Sequence, residues 1–125
     1  MQKVLVIDDE KEITGVLADF LSPRGYDVIC AENGEEGLKK CSTESPDIVI
    51  CDIKMPVKDG FGFLRDLRSS KKWIPVIILT AVTDPSSTLK GYDLQADYYI
   101  TKPLNLNEIL KAVQIMLSLA PLRKK

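Results

Sequence analysis

The alternation of short apolar runs with segments of helical periodicity is the feature that most constrains the fold. Five runs are predicted as strands, and they cover 4–7, 27–31, 48–51, 75–79 and 98–100. A run that is apolar at successive positions, rather than at every second one, is typical of a strand buried on both faces of a parallel sheet. Strand and helix alternate along the chain, and right-handed crossovers then place helices on both faces. We therefore predict an α/β fold with a doubly wound, five-stranded parallel sheet.

The first and the last helical segments have the clearest apolar pattern. One face of the first helix is predicted to be buried, and it carries Ile13, Val16, Leu17, Phe20 and Leu21. The last helix is predicted to begin near Asn105, an N-cap with Glu108 three residues later. Its core face is predicted to carry Leu106, Ile109, Leu110, Val113, Met116 and Leu117. A further stripe of Ala112, Ile115 and Leu119 is predicted either to bind a partner or to pack within the monomer.

The composition indicates one globular domain without a general affinity for polyanions. A chain of 125 residues with 45% hydrophobic and 28% charged residues suits one hydrophobic core. We predict a domain over 1–120, followed over 121–125 by a tail or the start of a linker. The formal net charge is -1, so we expect no direct binding to nucleic acid or to an anionic membrane. Because no segment has the apolar length of a membrane span and no signal-peptide pattern is present, we expect a cytoplasmic location.

The cysteines and the absence of histidine narrow the chemistry. Cys30, Cys41 and Cys51 are odd in number and match no common metal-binding or redox spacing. We interpret them as small buried side chains in a reducing cytosol. The chain contains no histidine, which excludes histidine-based acid–base catalysis, histidine metal ligands and phosphohistidine on this chain.

Polar residues are predicted to meet at the carboxyl ends of the strands. Asp8 and Asp9 follow the first strand, Asp52 ends the third, Thr80 ends the fourth and Lys102 follows the fifth. Sites in open parallel sheets form outside these strand ends, so the side chains are expected to share one cleft. Three carboxylates in a small cleft repel one another, and either a raised pKa or a bound cation relieves the repulsion. An all-oxygen set of ligands beside a lysine favours Mg²⁺.

The same set of residue types indicates a reaction. A carboxylate whose charge is neutralised by a metal can attack phosphorus and form an acyl phosphate. A lysine and a metal would stabilise the transferring oxygens, a threonine hydroxyl could donate a hydrogen bond to them, and an ionised nucleophile needs no protein base. Taken alone, the acidic run over 8–10 is equally consistent with a metal site and with a structural role that combines helix capping with a favourable helix-dipole charge. The polar residues at the other strand ends favour the metal site.

Together these segments resemble the response-regulator receiver domains of two-component phosphorelay systems, the CheY-like family. The resemblance is carried by residues 4–10 (VLVIDDE), 52–60 (DIKMPVKDG), 79–81 (LTA) and 99–104 (YITKPL), in the family's order and spacing. It implies a (βα)5 flavodoxin-like fold and a regulatory phospho-acceptor rather than an enzyme with a separate substrate. The implied partner is a sensor histidine kinase or a phosphotransfer protein.

The resemblance also implies a role for each residue of the site. Asp52 would be the phospho-acceptor. Mg²⁺ would be bound by Asp9, Asp52 and the backbone carbonyl of Lys54, with help from Asp8. Lys102 would contact the phosphoryl group.

A conformational switch is implied by two further residues. Thr80 would turn toward the phosphate, and Tyr99 would rotate inward after it. The Lys102–Pro103 peptide bond is implied to be cis. The fourth helix, predicted over 84–93, would form the signalling face together with the fifth strand and the fifth helix. A homodimer or an output domain would bind through that face.

Three positions depart from the pattern of the family that this chain resembles. Lys54 and Val82 are the second residues after the acceptor and after Thr80, and neither is an acid or an amide that would orient an attacking water. We therefore predict slow hydrolysis of the phospho-protein. Gln95 stands before Ala96, where the family usually has glycine. Either the fourth helix is the least stable element, or it ends one residue early.

Three other functions share part of the pattern. An aspartate-nucleophile phosphatase would be expected to carry a second Asp where Lys54 stands. A flavin or nucleotide module of the same fold would be expected to carry a glycine-rich phosphate loop, but Gly60 and Gly62 are not followed by a third glycine at the required spacing. A pseudo-receiver that only binds partners would be expected to lack some of the site residues. We therefore favour the phospho-accepting receiver.

Overall fold

The computed structural model of the chain describes residues 1–55, 57–70, 72–81 and 96–119. The helix predicted over 84–93, the positions of Val82 and Gln95, and the tail over 121–125 lie outside the described residues. The helices are labelled in chain order, so that α4 is the helix predicted as the fifth.

Strands and helices alternate along the described segments. The strands are β1 (Gln2–Ile7), β2 (Tyr26–Ala31), β3 (Ile48–Asp52), β4 (Val76–Ala81) and β5 (Tyr98–Lys102). The helices are α1 (Lys11–Leu21), α2 (Gly34–Glu44), α3 (Gly60–Ser69) and α4 (Leu106–Leu119), and a 3₁₀ turn covers Ser22–Arg24. None of the described helices combines the length and the apolar composition that crossing a bilayer requires.

The strands form one parallel sheet with a core on each face. In the described residues, the order across the sheet is β2-β1-β3-β4-β5, and every strand pair is parallel. Alternate side chains of a strand point to opposite faces. Leu5, Ile7 and Val49 therefore pack in the cluster that includes α2 and α3 residues, whereas Val4, Val6 and Ile48 pack in the cluster that includes α1 and α4 residues. The predicted doubly wound, five-stranded parallel sheet is confirmed.

Three helices begin at a side-chain cap. A side-chain oxygen of Asn33, Asp59 and Asn105 accepts a hydrogen bond from the N–H three residues later, at 2.8, 2.8 and 3.1 Å. Each cap satisfies an N–H that has no partner within its helix and contributes about 1 kcal/mol. The cap predicted at Asn105 is confirmed.

Two predicted helix faces differ from the structure. Val16, predicted for the core face of α1, is 44% exposed, whereas the next residue, Leu17, is fully buried. The predicted stripe on α4 is divided, because Ala112 is 1% exposed while Ile115 and Leu119 are 48% and 45% exposed. The helix contacts α1 as well as the sheet, so its buried arc is wide enough to include Ala112. The prediction of one continuous stripe is therefore wrong, because only Ile115 and Leu119 are exposed.

Gly15 lies inside α1, where glycine lowers the stability of a helix. Apart from the backbone of its own helix, a Cβ at this position would meet no atom of the described residues within 4 Å, so alanine introduces no clash. The Gly15→Ala variant is expected to raise the free energy of unfolding by about 0.5–1 kcal/mol in urea denaturation. Gly25 is the matched control, since it has equally open space but a φ of 95°. Gly25→Ala is expected to lower that free energy by about 1 kcal/mol, and a change of the same sign in both variants would contradict this account.

The three cysteines are free thiols, and two of them are buried. Cys41 and Cys51 lie in the core, whereas Cys30 is half-buried. Burial raises the pKa of the Cys41 thiol to about 11 and raises the pKa of the Cys51 thiol well above its usual value. Only the thiolate reacts with disulfide reagents, so we expect at most one reactive thiol in the folded protein at mildly alkaline pH. All three should react in guanidinium chloride, and two rapidly reacting thiols in native buffer would refute the prediction.

Candidate functional site

Four strands bring polar side chains to one edge of the sheet. Asp8 follows β1, Asp52 is the last residue of β3, and Lys102 is the last residue of β5. Thr80 lies one residue before the end of β4. These four strands are successive neighbours and run in the same direction, so the side chains share the carboxyl edge. Lys102 was predicted to follow its strand, but it lies within β5 because it pairs with Ala81 of β4.

Asp52 is held through one of its two carboxylate oxygens. The residue is 6% exposed. Its Oδ1 accepts a hydrogen bond from the Ile53 N–H at 2.9 Å and lies 3.3 Å from Lys102 Nζ. From the described residues, Oδ2 receives neither a hydrogen bond nor an ion pair. Burial raises the pKa of Asp52, while the Lys102 ammonium acts to lower it. The result is a desolvated carboxylate with one oxygen held and the other available.

Asp8 is a second buried carboxylate whose charge is only partly compensated. It is 1% exposed. Its Oδ1 accepts the Glu10 N–H at 2.9 Å, but the buried Oδ2 accepts no hydrogen bond from the part of the chain that the structure describes. Burial raises the pKa of Asp8 to about 6; the Glu10 N–H acts to lower it, and the charge of Asp52 adds to the rise. A buried oxygen in this state is a candidate ligand for a cation.

A group of carboxylates after β1 offers oxygen ligands to a metal. Oxygen atoms of Asp8, Asp9 and Glu10 lie within 4.8 Å of one another. Asp52 is outside this tight group, although its charge acts on Asp8. Oxygen ligands of this kind suit hard divalent cations. Glu10 was not predicted as a ligand, and its place directly after two aspartates was the signal that could have identified it.

The remaining predicted residues differ in burial. Thr80 is 4% exposed at the carboxyl edge. Tyr99 lies further back along β5 and packs against the core cluster on the α2 and α3 face, whereas Tyr98 packs against the opposite cluster. Lys54 is exposed in the loop that follows β3. The peptide bond between Lys102 and the following proline is cis, as the resemblance implied.

The loop after β3 contains a close approach that sequence reasoning missed. Gly60, the first residue of α3, donates its N–H to the Ile53 carbonyl at 2.7 Å. A Cβ on Gly60 would lie 2.5 Å from the backbone carbonyl oxygen of Asp52. In the sequence, Asp59 and Gly60 indicate only a turn before a helix, and no local pattern reveals which backbone lies against the glycine.

Known proteins similar to this chain share a domain type. The family model described as the response regulator receiver domain matches residues 4–114. The chain is 40% identical over 116 residues to the alkaline phosphatase synthesis transcriptional regulatory protein PhoP of Bacillus subtilis (strain 168), covering 93% of this chain and 48% of that protein. The receiver domain of the Francisella response regulator 1452 is 33% identical with a TM-score of 0.89, covering 94% of this chain and 98% of that one. The chemotaxis protein CheY4 of Vibrio cholerae is 34% identical with a TM-score of 0.87, and the alignment covers 93% of this chain and 98% of that one.

The family match extends over most of the chain. The chain spans about half the length of the curated relatives that it matches. The solved structures, by contrast, align with it over nearly their whole length. The chain therefore belongs to the receiver domains of two-component response regulators.

Proposed function

We propose that this receiver domain accepts a phosphoryl group on Asp52 and that phosphorylation controls an output partner. The observation that supports the proposal is the 3.3 Å ion pair between Lys102 Nζ and Asp52 Oδ1. This ion pair lies at the carboxyl edge of the sheet, where Asp8 and Thr80 are also buried. A desolvated carboxylate beside a lysine suits nucleophilic attack on phosphorus. The donor would be a sensor histidine kinase or a phosphotransfer protein.

The proposed transfer forms one bond and breaks one. A lone pair of Asp52 Oδ2 attacks the phosphorus, because Oδ1 is already engaged by the Ile53 N–H and by Lys102. The bond between phosphorus and the donor breaks. This bond is P–N when the donor is phosphohistidine and P–O when the donor is acetyl phosphate. The electron pair of that bond leaves with the donor, and Asp52 becomes an acyl phosphate. The Lys102 ammonium would stabilise the negative charge on the transferring oxygens.

The acidic edge fits a resident Mg²⁺ ion. Asp8, Asp9, Asp52 and the backbone carbonyl of Lys54 would hold it, and Glu10 lies close enough to Asp8 and Asp9 to contribute. The fit is supported by Asp8 Oδ2, a buried oxygen that accepts no hydrogen bond from the described residues. When bound, the ion would neutralise both the mutual repulsion of the carboxylates and the charge of the phosphoryl oxygens.

The proposal includes a route from the site to an output surface. Thr80 would turn toward the phosphoryl group, and Tyr99 would rotate inward after it. The responding surface would combine the helix predicted over 84–93 with β5 and α4, where Ile115 and Leu119 are exposed. A homodimer or an output domain would bind there.

The domain would be a regulatory phospho-acceptor and not an enzyme. It would act without a separate substrate and without direct contact with nucleic acid or membrane. A cytoplasmic location also stays a prediction, and it is supported by the three free thiols, which are stable in a reducing compartment.

Incubation with acetyl phosphate and Mg²⁺ tests the proposed function. We expect the intact mass of the protein to increase by one phosphoryl group, and we expect hydroxylamine, which cleaves acyl phosphates, to remove it. Chelation of the metal should prevent uptake. After removal of the donor the adduct should persist, because Lys54 is not a group that orients an attacking water. If the protein neither forms the adduct nor binds the phosphoryl mimic beryllofluoride, the proposal is wrong.

A further inference from the structure

We infer that Gly60 is a positioning residue for the phosphorylation of Asp52. Its missing side chain lets the first turn of α3 lie directly against the peptide unit that holds the acceptor carboxylate. This inference rests on the proposed function of Asp52. It assigns a role to a residue that has no functional group in its side chain.

The contact at Gly60 is between backbone and backbone. An ideal Cβ on Gly60 would lie 2.5 Å from the Asp52 carbonyl oxygen, 2.8 Å from Ile53 Cα and 3.2 Å from the Asp52 carbonyl carbon. Carbon atoms in ordinary contact are about 3.5–4.0 Å apart, so an alanine would have to push the backbone aside by roughly 1 Å. All three of these nearest atoms belong to the backbone, so none of them is the end of a flexible side chain that could move instead.

The displaced backbone is the part that orients the acceptor. The Ile53 carbonyl accepts the Gly60 N–H at 2.7 Å, and the Ile53 N–H donates to Asp52 Oδ1 at 2.9 Å. Two hydrogen bonds therefore connect Gly60 to the Asp52 carboxylate, and both of them involve the backbone of Ile53. With Oδ1 held in this way, Oδ2 is the oxygen presented to the phosphoryl donor. A shift of the Ile53 backbone would change the direction in which Oδ2 faces.

The loop is also anchored on its other side. The Lys58 carbonyl accepts the Gly34 N–H, from the first residue of α2, at 2.9 Å. Between the two anchors, Val57 is held at a φ of 69° although the residue is 76% exposed. A branched residue in the left-handed region is strained and persists only where the surrounding structure dictates the backbone. The surrounding structure therefore dictates the backbone at Val57 and Lys58, just before α3, which is what a positioning role requires.

Backbone conformation does not explain a glycine at this position. Among the described glycines, only Gly25 has a positive φ. Alanine would therefore suit the backbone at Gly60, and its helix propensity is higher than that of glycine. The close approach to Asp52 is the feature that excludes a side chain.

The Gly60→Ala variant tests the inference, with Gly62→Ala as its matched control. Both positions lie in the first turn of α3, but the three atoms nearest to a Cβ on Gly62 belong to the side chains of Lys58 and Asp59, the nearest at 3.0 Å. The rate of phosphorylation by acetyl phosphate, divided by the folded fraction, is expected to fall by roughly ten- to a hundredfold in Gly60→Ala, since misplacement of a reacting group by 1 Å can have this effect. Gly62→Ala is expected to stay within about twofold of the wild type.

A second readout separates positioning from a loss of stability. The dissociation constant for beryllofluoride should rise in Gly60→Ala and stay unchanged in Gly62→Ala, even at temperatures where both variants are fully folded. If Gly60→Ala is less stable but binds the mimic and reacts as the wild type does, the inference is wrong while the proposed function stands. If the wild type itself neither reacts nor binds the mimic, the proposed function fails instead.

A measurement on the wild type covers the case in which Gly60→Ala does not fold. Hydrogen exchange of the Ile53 and Gly60 amides in the wild type is expected to be slow, because both N–H groups donate hydrogen bonds. Exchange at the rate of an exposed loop would overturn the inference without any variant.

Discussion

The Asp52→Asn variant is expected to take up no phosphoryl group from acetyl phosphate. A neutral amide is a poor nucleophile toward phosphorus, and the substitution also removes the charge that faces Lys102 Nζ at 3.3 Å. The amide has nearly the same shape as the carboxylate and its oxygen can still accept the Ile53 N–H, so the fold is expected to persist. Intact mass after incubation measures uptake, and circular dichroism verifies the fold.

Asp27→Asn is the matched control for this substitution. Asp27 is exposed near the start of β2, at the end of the sheet opposite the site, so the variant should be phosphorylated as the wild type is. An adduct on Asp52→Asn with the yield of the wild type would place the acceptor elsewhere.

Asp52→Asn is also expected to raise the melting temperature in a buffer that contains a chelator. Burial raises the pKa of Asp52 in the folded protein. A raised carboxyl pKa means that the folded state binds the proton more tightly than the unfolded chain does, so stability falls as pH rises through the interval between the two pKa values. At neutral pH the charged carboxylate is therefore destabilising, and the amide removes this effect. A clear fall in melting temperature would show that the contact with Lys102 outweighs burial.

The Asp97→Ala variant is expected to lose about 3–5 kcal/mol in free energy of unfolding. Asp97 lies just before β5, and its Oδ2 accepts hydrogen bonds from Arg68 Nη2 at 3.0 Å and from the Val76 N–H at 2.8 Å. The side chains of Arg68 and Asp97 are 8% and 14% exposed. Arg68 also donates to the carbonyls of Lys72 and Ile74 at 3.0 and 2.8 Å. Alanine would leave a buried guanidinium beside β4 without its carboxylate.

Asp97→Asn separates the charge from the hydrogen bonds. The amide oxygen can replace one acceptor but brings no negative charge, so we expect a smaller loss of stability in urea denaturation than for alanine. Asp97 precedes β5, whereas Lys102 ends it, so phosphoryl uptake per folded molecule should be unchanged in both variants. A loss below about 1 kcal/mol for Asp97→Ala would show that the ion pair behaves as an exposed one.

Local patterns in the sequence were sufficient to predict the sheet and the edge at which its polar residues meet. The runs over 4–7 and 48–51 are apolar throughout and end at Asp8 and Asp52, because a strand buried on both faces turns polar only where it leaves the core. Because the strands are parallel, their carboxyl ends lie at the same edge of the sheet, and no other information is needed to predict that these residues meet there. The prediction for the fifth strand ended two residues early, because β5 continues through Thr101 and Lys102 in pairing with β4 although both are polar.

Contacts between residues distant in the sequence were decided only by the tertiary structure. Arg68 and Asp97 are 29 positions apart, and nothing in either neighbourhood indicates their pairing. Ala112 was predicted for an outer stripe and is buried, because the arc that a helix covers depends on which neighbour packs against it. Gly60 is predictable as a turn residue, but its contact with the backbone of Asp52 is not. Periodicity and caps are properties of a segment and can be predicted from the sequence, whereas the space beside a residue is a property of two segments and exists only after they pack.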